Sequence, residues 1–158
     1  MPDRDRRLNA RGQGDATTMG AYMARHQLTP DLALVSTARR TRETWEQVAA
    51  QISTRSPPTF DRRLYNAGGD AILRVIEQTD QAVHSLLVIG HNPGLHDLAR
   101  KLIASGAVEA REQLNEGLPT AGLAVIDFAA ESWSKLHPRG GRLERFVTPR
   151  SLASADPA

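Results

Sequence analysis

The chain has 158 residues, 40% of them hydrophobic and 24% charged, which suits one globular domain with a real core and is too short for two comfortable ones. It has no cysteine, which excludes a disulfide framework and any thiolate metal site. The formal net charge is only +2, too small a surplus to argue for nucleic acid as a partner.

Met1 to Gly14 is charged and carries no apolar run, which predicts neither a signal peptide nor a membrane anchor, so a cytoplasmic location is the default expectation. Asn9 is placed to cap a helix over about Ala10 to His26, with Ala16, Met19, Tyr22 and Met23 on one face. Thr29-Pro30 punctuates, and Asp31 to Ser36 predicts a short buried strand. A second helix is expected over about Arg40 to Ile52, with Trp45, Val48, Ala49 and Ile52 as its stripe. Ser56-Pro57-Pro58 breaks the chain before a short edge strand at Thr59 to Arg62. Gly68-Gly69 opens a third helix with Ile72, Val75 and Ile76 inward.

Ser85 to Gly90 is an unbroken apolar run of the kind found in a parallel strand covered on both faces. After His91-Asn92-Pro93-Gly94, a fourth helix is marked by Leu95, Leu98, Ala99, Leu102 and Ile103. Gly122 to Phe128 and Arg142 to Val147 predict two more strands, and 150–158 reads as a flexible tail. Strands alternating with helices imply a layered α/β fold with a mostly parallel sheet. Ligands of such folds sit beyond the carboxyl ends of the strands. Two segments place chemistry there: Ser36-Thr37-Ala38-Arg39-Arg40 and Gly90-His91-Asn92-Pro93-Gly94.

Arg40, at the start of a helix, can fold its guanidinium back over that crevice and grip a phosphoryl group with two donors. Three arginines in one first turn (39, 40 and 42) oppose the helix dipole, and an anionic ligand would offset that. A solvated, charged first turn is the plainer alternative. His91 ends a buried strand just before a helix N-terminus, where unpaired N–H groups favour an anion; a hydrogen-bonded strand cap is the alternative. All but Lys101 and Lys135 of the 20 basic residues are arginines, which suits phosphate recognition and equally fits a compositional bias. The scattered histidines show no metal-ligand spacing, and the glycines fit neither a dinucleotide nor a P-loop pattern. No metal or cofactor is therefore expected.

Ser36-Thr-Ala-Arg-Arg40-Thr-Arg-Glu-Thr44 resembles the Ser-Pro-x-x-Arg-Ala-x-Gln-Thr signature of the histidine phosphatase superfamily, and Gly90 to Gly94 resembles its second-histidine motif. Asp5 to Gly12 is similar to the Arg-Pro-Leu-Thr-x-x-Gly segment that opens the family's first helix, and Pro119-Thr120-Ala121 matches a stretch before a late strand. The resemblance spans about Asp5 to Pro149. Its small size and Leu64-Tyr65-Asn66-Ala67 point to the SixA-like phosphohistidine phosphatase branch. It implies a phosphoglycerate-mutase-like three-layer α/β/α sandwich over 1–149 that acts on phosphohistidine in a protein or on a small phosphate ester. It also implies Arg40 and His91 as catalytic residues, and Arg6, Ser36 and Asn92 as substrate contacts. A monomer is expected, with neither nucleic acid nor membrane as a partner.

In the family a histidine nucleophile takes the phosphoryl group and water then releases it. Its Arg-His motif ends a first strand lying before the segment that begins here at Asp5. The resemblance therefore implies a domain without that central strand, whose neighbours would be Ser85–Gly90 and Gly122–Phe128. A start inside a longer reading frame would account for this, and a pseudoenzyme is the second account. Arg25-His26 lies at the far end of a helix and does not replace the motif, and His84, His96 and His137 fall at surface or loop positions. Around Leu64 to Asp70 only Asp70 could serve as a general acid, and a phosphoramidate substrate needs one less than an ester. Non-catalytic phosphate or phosphopeptide binding, and phosphomonoester hydrolysis, are the competing functions.

Overall fold

The computed structural model describes residues 1–54 and 56–155. The chain divides into two units, one of Met1–Asn66 with Ala82–His91, the other of Ala67–Gln81 with Asn92–Ala158.

The first unit holds α1 (Ala10–Arg25), β1 (Leu32–Ser36), α2 (Arg39–Ala49), β2 (Thr59–Asp61) and β3 (Leu86–Ile89), with single 3-10 turns at Asp3–Asp5 and Arg62–Leu64. Asn9 caps α1, its side chain accepting from the Gly12 amide at 2.8 Å, as the sequence predicts. Three parallel strands run in the order β2-β1-β3. β1 is central, and Val35 and Ser36 are completely buried. α1 packs on α2 through Gly20, where a Cβ would stand 2.9 Å from the Val48 Cα. The missing side chain is what lets the two backbones come so close.

The second unit holds α3 (Gly69–Glu77), α4 (Gly94–Leu102), β4 (Ile103–Gly106), α5 (Val108–Glu116), β5 (Leu123–Phe128), β6 (Gly141–Val147) and α6 (Pro149–Ala155), with a 3-10 turn at Trp133–Lys135. Its sheet runs β4-β6-β5, with β4 parallel and β5 antiparallel to β6. Ala99, Ile103, Leu114 and Leu143 form its core cluster. The α/β class and the mostly parallel pairing agree with the sequence expectation.

Several elements depart from it. β3 is an edge strand and all four of its residues are only half-buried, not covered on both faces. β5 is likewise an edge strand. These are the two runs expected to flank a missing central strand, and among the described residues no strand pairs with their outer edges. Ile103 leaves the fourth helix and opens β4, and α5 follows where no helix is predicted. The segment from Pro149 is helical through Ala155, and 156–158 of the expected tail lie outside the described residues. Pro149 suits a first helical position. Thr148 and Ser151 cap reciprocally, the Ser151 amide donating to Thr148 Oγ1 at 3.0 Å and the Thr148 amide to Ser151 Oγ at 2.9 Å, in the manner of a capping box.

Candidate active site

Parallel register builds the candidate site in the first unit. Val35 of β1 pairs with Ile89 of β3, and Ser36 with Asp61 of β2. The three strands therefore end together, and the segments leaving them deliver Arg40, Tyr65 and His91 to one end of the sheet. Thr41 holds the first of these segments in shape, its hydroxyl contacting the Ser36 and Ala38 carbonyls at 2.8 Å each.

Arg40 and His91 meet. Arg40 Nη2 lies 3.2 Å from His91 Nδ1, and His91 Nε2 lies 2.7 Å from Ser36 Oγ. A guanidinium has no acceptor, so Nδ1 must accept from Arg40; Nε2 then carries the proton and donates to Ser36. The ring is neutral and fixed at both nitrogens. Burial first, and then the neighbouring Arg40 charge, hold the His91 pKa below the ordinary 6.5, with Asp3 opposing them more weakly.

Asp3 and Tyr65 complete the cluster, and neither is singled out as a site residue in the sequence. Arg40 Nη1 donates to the Asp3 carbonyl at 3.0 Å and Nη2 faces Asp3 Oδ2 at 3.3 Å. Arg6 Nη2 lies 3.0 Å from Asp3 Oδ1, and the Tyr65 hydroxyl donates to Oδ2 at 2.5 Å. The Tyr65 hydrogen bond is the largest effect on the Asp3 carboxyl; desolvation comes next and opposes it, and the Arg40 and Arg6 charges then help hold the carboxyl below its usual range. The same bond raises the Tyr65 pKa. The Tyr65 ring stands edge-on to His91, with centroids 5.4 Å apart. Glu43 braces the arrangement from α2, accepting from the Leu8 amide at 2.7 Å.

Of the residues proposed from the sequence, Arg40, His91 and Ser36 thus form one cluster, and Arg6 reaches it through Asp3. Asn92 is engaged elsewhere, its Nδ2 donating to the Leu118 carbonyl at 2.6 Å and its Oδ1 accepting from the His96 amide at 3.2 Å. It secures the first turn of α4, whose cap residue Pro93 offers no side-chain hydrogen bond. Asp70 is paired with Lys101 at 2.7 Å, and this pairing lowers its pKa. A general acid needs the opposite shift.

No family model matches the chain. An uncharacterized protein of Mycobacterium leprae is 30% identical over 151 residues, covering 95% of this chain and 91% of the relative. Another, from Mycobacterium tuberculosis, is 32% identical over 152 residues, covering 95% and 93%. A solved structure from Nakamurella multipartitia, described as a phosphohistidine phosphatase SixA, superposes with a TM-score of 0.83 at 25% identity over 94% of this chain and 88% of that one. Its counterpart from Agrobacterium tumefaciens gives 0.76 at 29% identity over 94% and 87%. The chain belongs to the SixA-like histidine phosphatases. A tungstate complex of the protein histidine phosphatase SixA shares the fold, with a TM-score of 0.74 at 20% identity.

For a histidine phosphatase the remaining histidines matter. His26 follows the end of α1, its ring 4.2 Å from that of Tyr22. The His84 amide donates to Asp31, His96 contacts the Leu114 carbonyl, and His137 contacts the Pro138 carbonyl. Among the described residues of the first unit, none of these rings joins His91 and Arg40.

The depressed His91 pKa gives stability a pH dependence. The unfolded chain takes up a proton near 6.5, whereas the folded ring resists it beside Arg40, with Tyr65 and Asp3 as its other neighbours. The His91 contribution is therefore complete above 6.5 and is lost as pH falls towards the lower folded value. Urea unfolding on either side of 6.5 should show the decline, and His91→Asn should flatten it. The carboxylates with lowered pKa values act separately, around and below 3.8.

Proposed function

We propose that this chain binds the phosphoryl group of a phosphohistidine-bearing protein as a hydrolase of the phosphohistidine phosphatase type. Its nucleophilic histidine is not among the residues clustered at Arg40 and His91. The observation that carries this reading is the Arg40–His91–Ser36 chain of contacts at one end of a parallel sheet. There a guanidinium can grip phosphoryl oxygens while a neighbouring imidazole responds to the charge that develops on them. The SixA neighbours add support for a phosphoprotein as the substrate.

The roles follow from position. Arg40 is the phosphate clamp and His91 the second histidine. Ser36 fixes the His91 ring, and Arg6 supplies further positive charge from the first turn. Imidazole is a better leaving group than an alkoxide, so a phosphohistidine substrate makes less demand on a general acid. The carboxyl in view around Leu64 to Asp70 is already committed to Lys101.

With a single histidine in the cluster, the second reading is a phosphopeptide-binding module without turnover. Titration with a phosphohistidine peptide, followed by phosphate release over time, separates the two. Binding with release no faster than the uncatalysed background would favour the binding module, and release above that background the hydrolase. Rapid release would show that a histidine already present attacks phosphorus, overturning the nucleophile assignment. Failure to bind would sink both readings. Faster hydrolysis of sugar phosphates than of phosphohistidine would reassign the substrate to small esters.

A further inference from the structure

The sequence singles out Arg40 and His91 for an anion, yet in the structure the Arg40 donors are already occupied by part of the same chain. The Asp3 carboxylate receives Arg6 on one oxygen, Arg40 and Tyr65 on the other, and its carbonyl receives Arg40 again. We infer that Tyr65 is an anion-contacting residue of this site and that Asp3 is its resident competitor, holding the places of two phosphoryl oxygens until a substrate phosphoryl group displaces it. The inference rests on the phosphoryl-binding reading above and goes beyond it.

Three lines of physical argument carry it. First, the donors come from three separate segments, the opening turn, the start of α2 and the segment after β2, and converge on one small anion. A carboxylate presents two oxygens at nearly the spacing of two oxygens in a phosphoryl group, so the same donors serve either. Second, charge is unbalanced with Asp3 in place. Arg6 and Arg40 contribute two positive charges, Asp3 one negative, and His91 is neutral. A doubly charged phosphoryl group would balance what the carboxylate leaves over. Third, the occupant is exchangeable. The Asp3 and Arg6 side chains are 48% and 62% exposed, and ion pairs so open to water contribute little each. Arg40, at 25% exposure, stays with the site when Asp3 leaves.

Tyr65 gains a defined task. Its ring is set edge-on to His91, which aims the hydroxyl at the anion, and this hydroxyl donates to whichever oxygen is seated. It is neutral, so it holds phosphate and carboxylate without adding to the charge. Arg40 and Arg6 then favour the dianion over the monoanion, making Asp3 a threshold that weakly charged ligands do not cross.

Calorimetric titration of the full chain with inorganic phosphate and with sulfate tests this, using Asp3→Asn, Asp3→Ala, Tyr65→Phe and Arg40→Ala. Loss of the competitor should tighten phosphate about three- to tenfold in both Asp3 variants. Tyr65→Phe keeps the ring on His91 and should weaken phosphate about fivefold. Thermal unfolding of each variant checks that the chain is intact. Affinity unchanged or lower in both Asp3 variants, with Arg40→Ala still impaired, would make Asp3 a mere latch for the opening turn; the inference falls and the phosphoryl reading stands. Unchanged affinity in Tyr65→Phe removes Tyr65 from the anion contacts. Wild-type affinity in Arg40→Ala, or no binding by any chain, overturns both the inference and the reading beneath it.

Discussion

Arg40→Ala should bind inorganic phosphate about 10- to 100-fold more weakly than the wild type, the single largest functional effect expected in this chain. The size follows from what the guanidinium does at once. It donates through Nη1 to the Asp3 carbonyl and faces the Asp3 carboxylate and His91 Nδ1 through Nη2. Its removal takes away a charge-assisted anchor and also frees the His91 ring at one nitrogen. Arg40→Lys is the informative companion. It keeps the charge but replaces a planar fork with a point donor, which cannot span the same partners. An intermediate loss of about tenfold is expected for it, and titration calorimetry reads both. Equal affinity in the lysine variant and the wild type would mean that charge alone, and not fork geometry, retains the anion.

Gly94→Ala should lower stability by about 2 kcal/mol and the melting temperature by about 4–8 °C. Two effects compete at this first residue of α4. Alanine is the better helix former by up to about 1 kcal/mol. Against that, its Cβ would lie 2.0 Å from the Ala67 carbonyl oxygen and 3.0 Å from Ile72 Cδ1. The first is backbone and cannot swing aside, and Ile72 is itself fully buried in the second unit, so overlap outweighs propensity. Scanning calorimetry decides the sign. A melting temperature at or above that of the wild type would show that the Ala67 segment gives way easily.

Why Arg40 and His91 are legible in the sequence, and Asp3 is not, comes down to where each contact originates. A strand that ends in a polar string just before a helix declares its position in an α/β fold, and β1 and β3 each do so. Parallel pairing then forces Ser36 and His91 together. Asp3 meets Tyr65 across 62 positions, and its charged surroundings look like any solvated opening stretch. The Leu64-Tyr65-Asn66-Ala67 string marks the family branch without saying what the phenol touches. Asn92 shows the opposite failure. It shares the string with His91, yet its amide turns to Leu118 and His96, because the start of α4 needs a cap that Pro93 does not give.

The second unit is less legible in the sequence for a local reason. Ile103 continues the 3.6-residue stripe of α4, so periodicity runs on after the helix has stopped, and β4 is too short to show an alternation of its own. α5 has a single buried residue, Leu114, and one apolar anchor among polar neighbours gives no pattern to count. Thr148-Pro149 and Ser151 carry a start signal for α6, obscured by the small, polar residues after it.

Among the described residues the outer edges of β3 and β5 have no strand partner, which carries a consequence for deuterium uptake. β1 has a neighbour on either side, so its amides are shielded throughout and should be the last of the first unit to exchange. β3 and β5 each have one neighbour, and successive amides of a strand point alternately towards it and away. Every second amide along Leu86–Ile89 and Leu123–Phe128 should therefore label rapidly while those between keep their protons. Such a two-residue rhythm would be the spectroscopic imprint of half-satisfied strands.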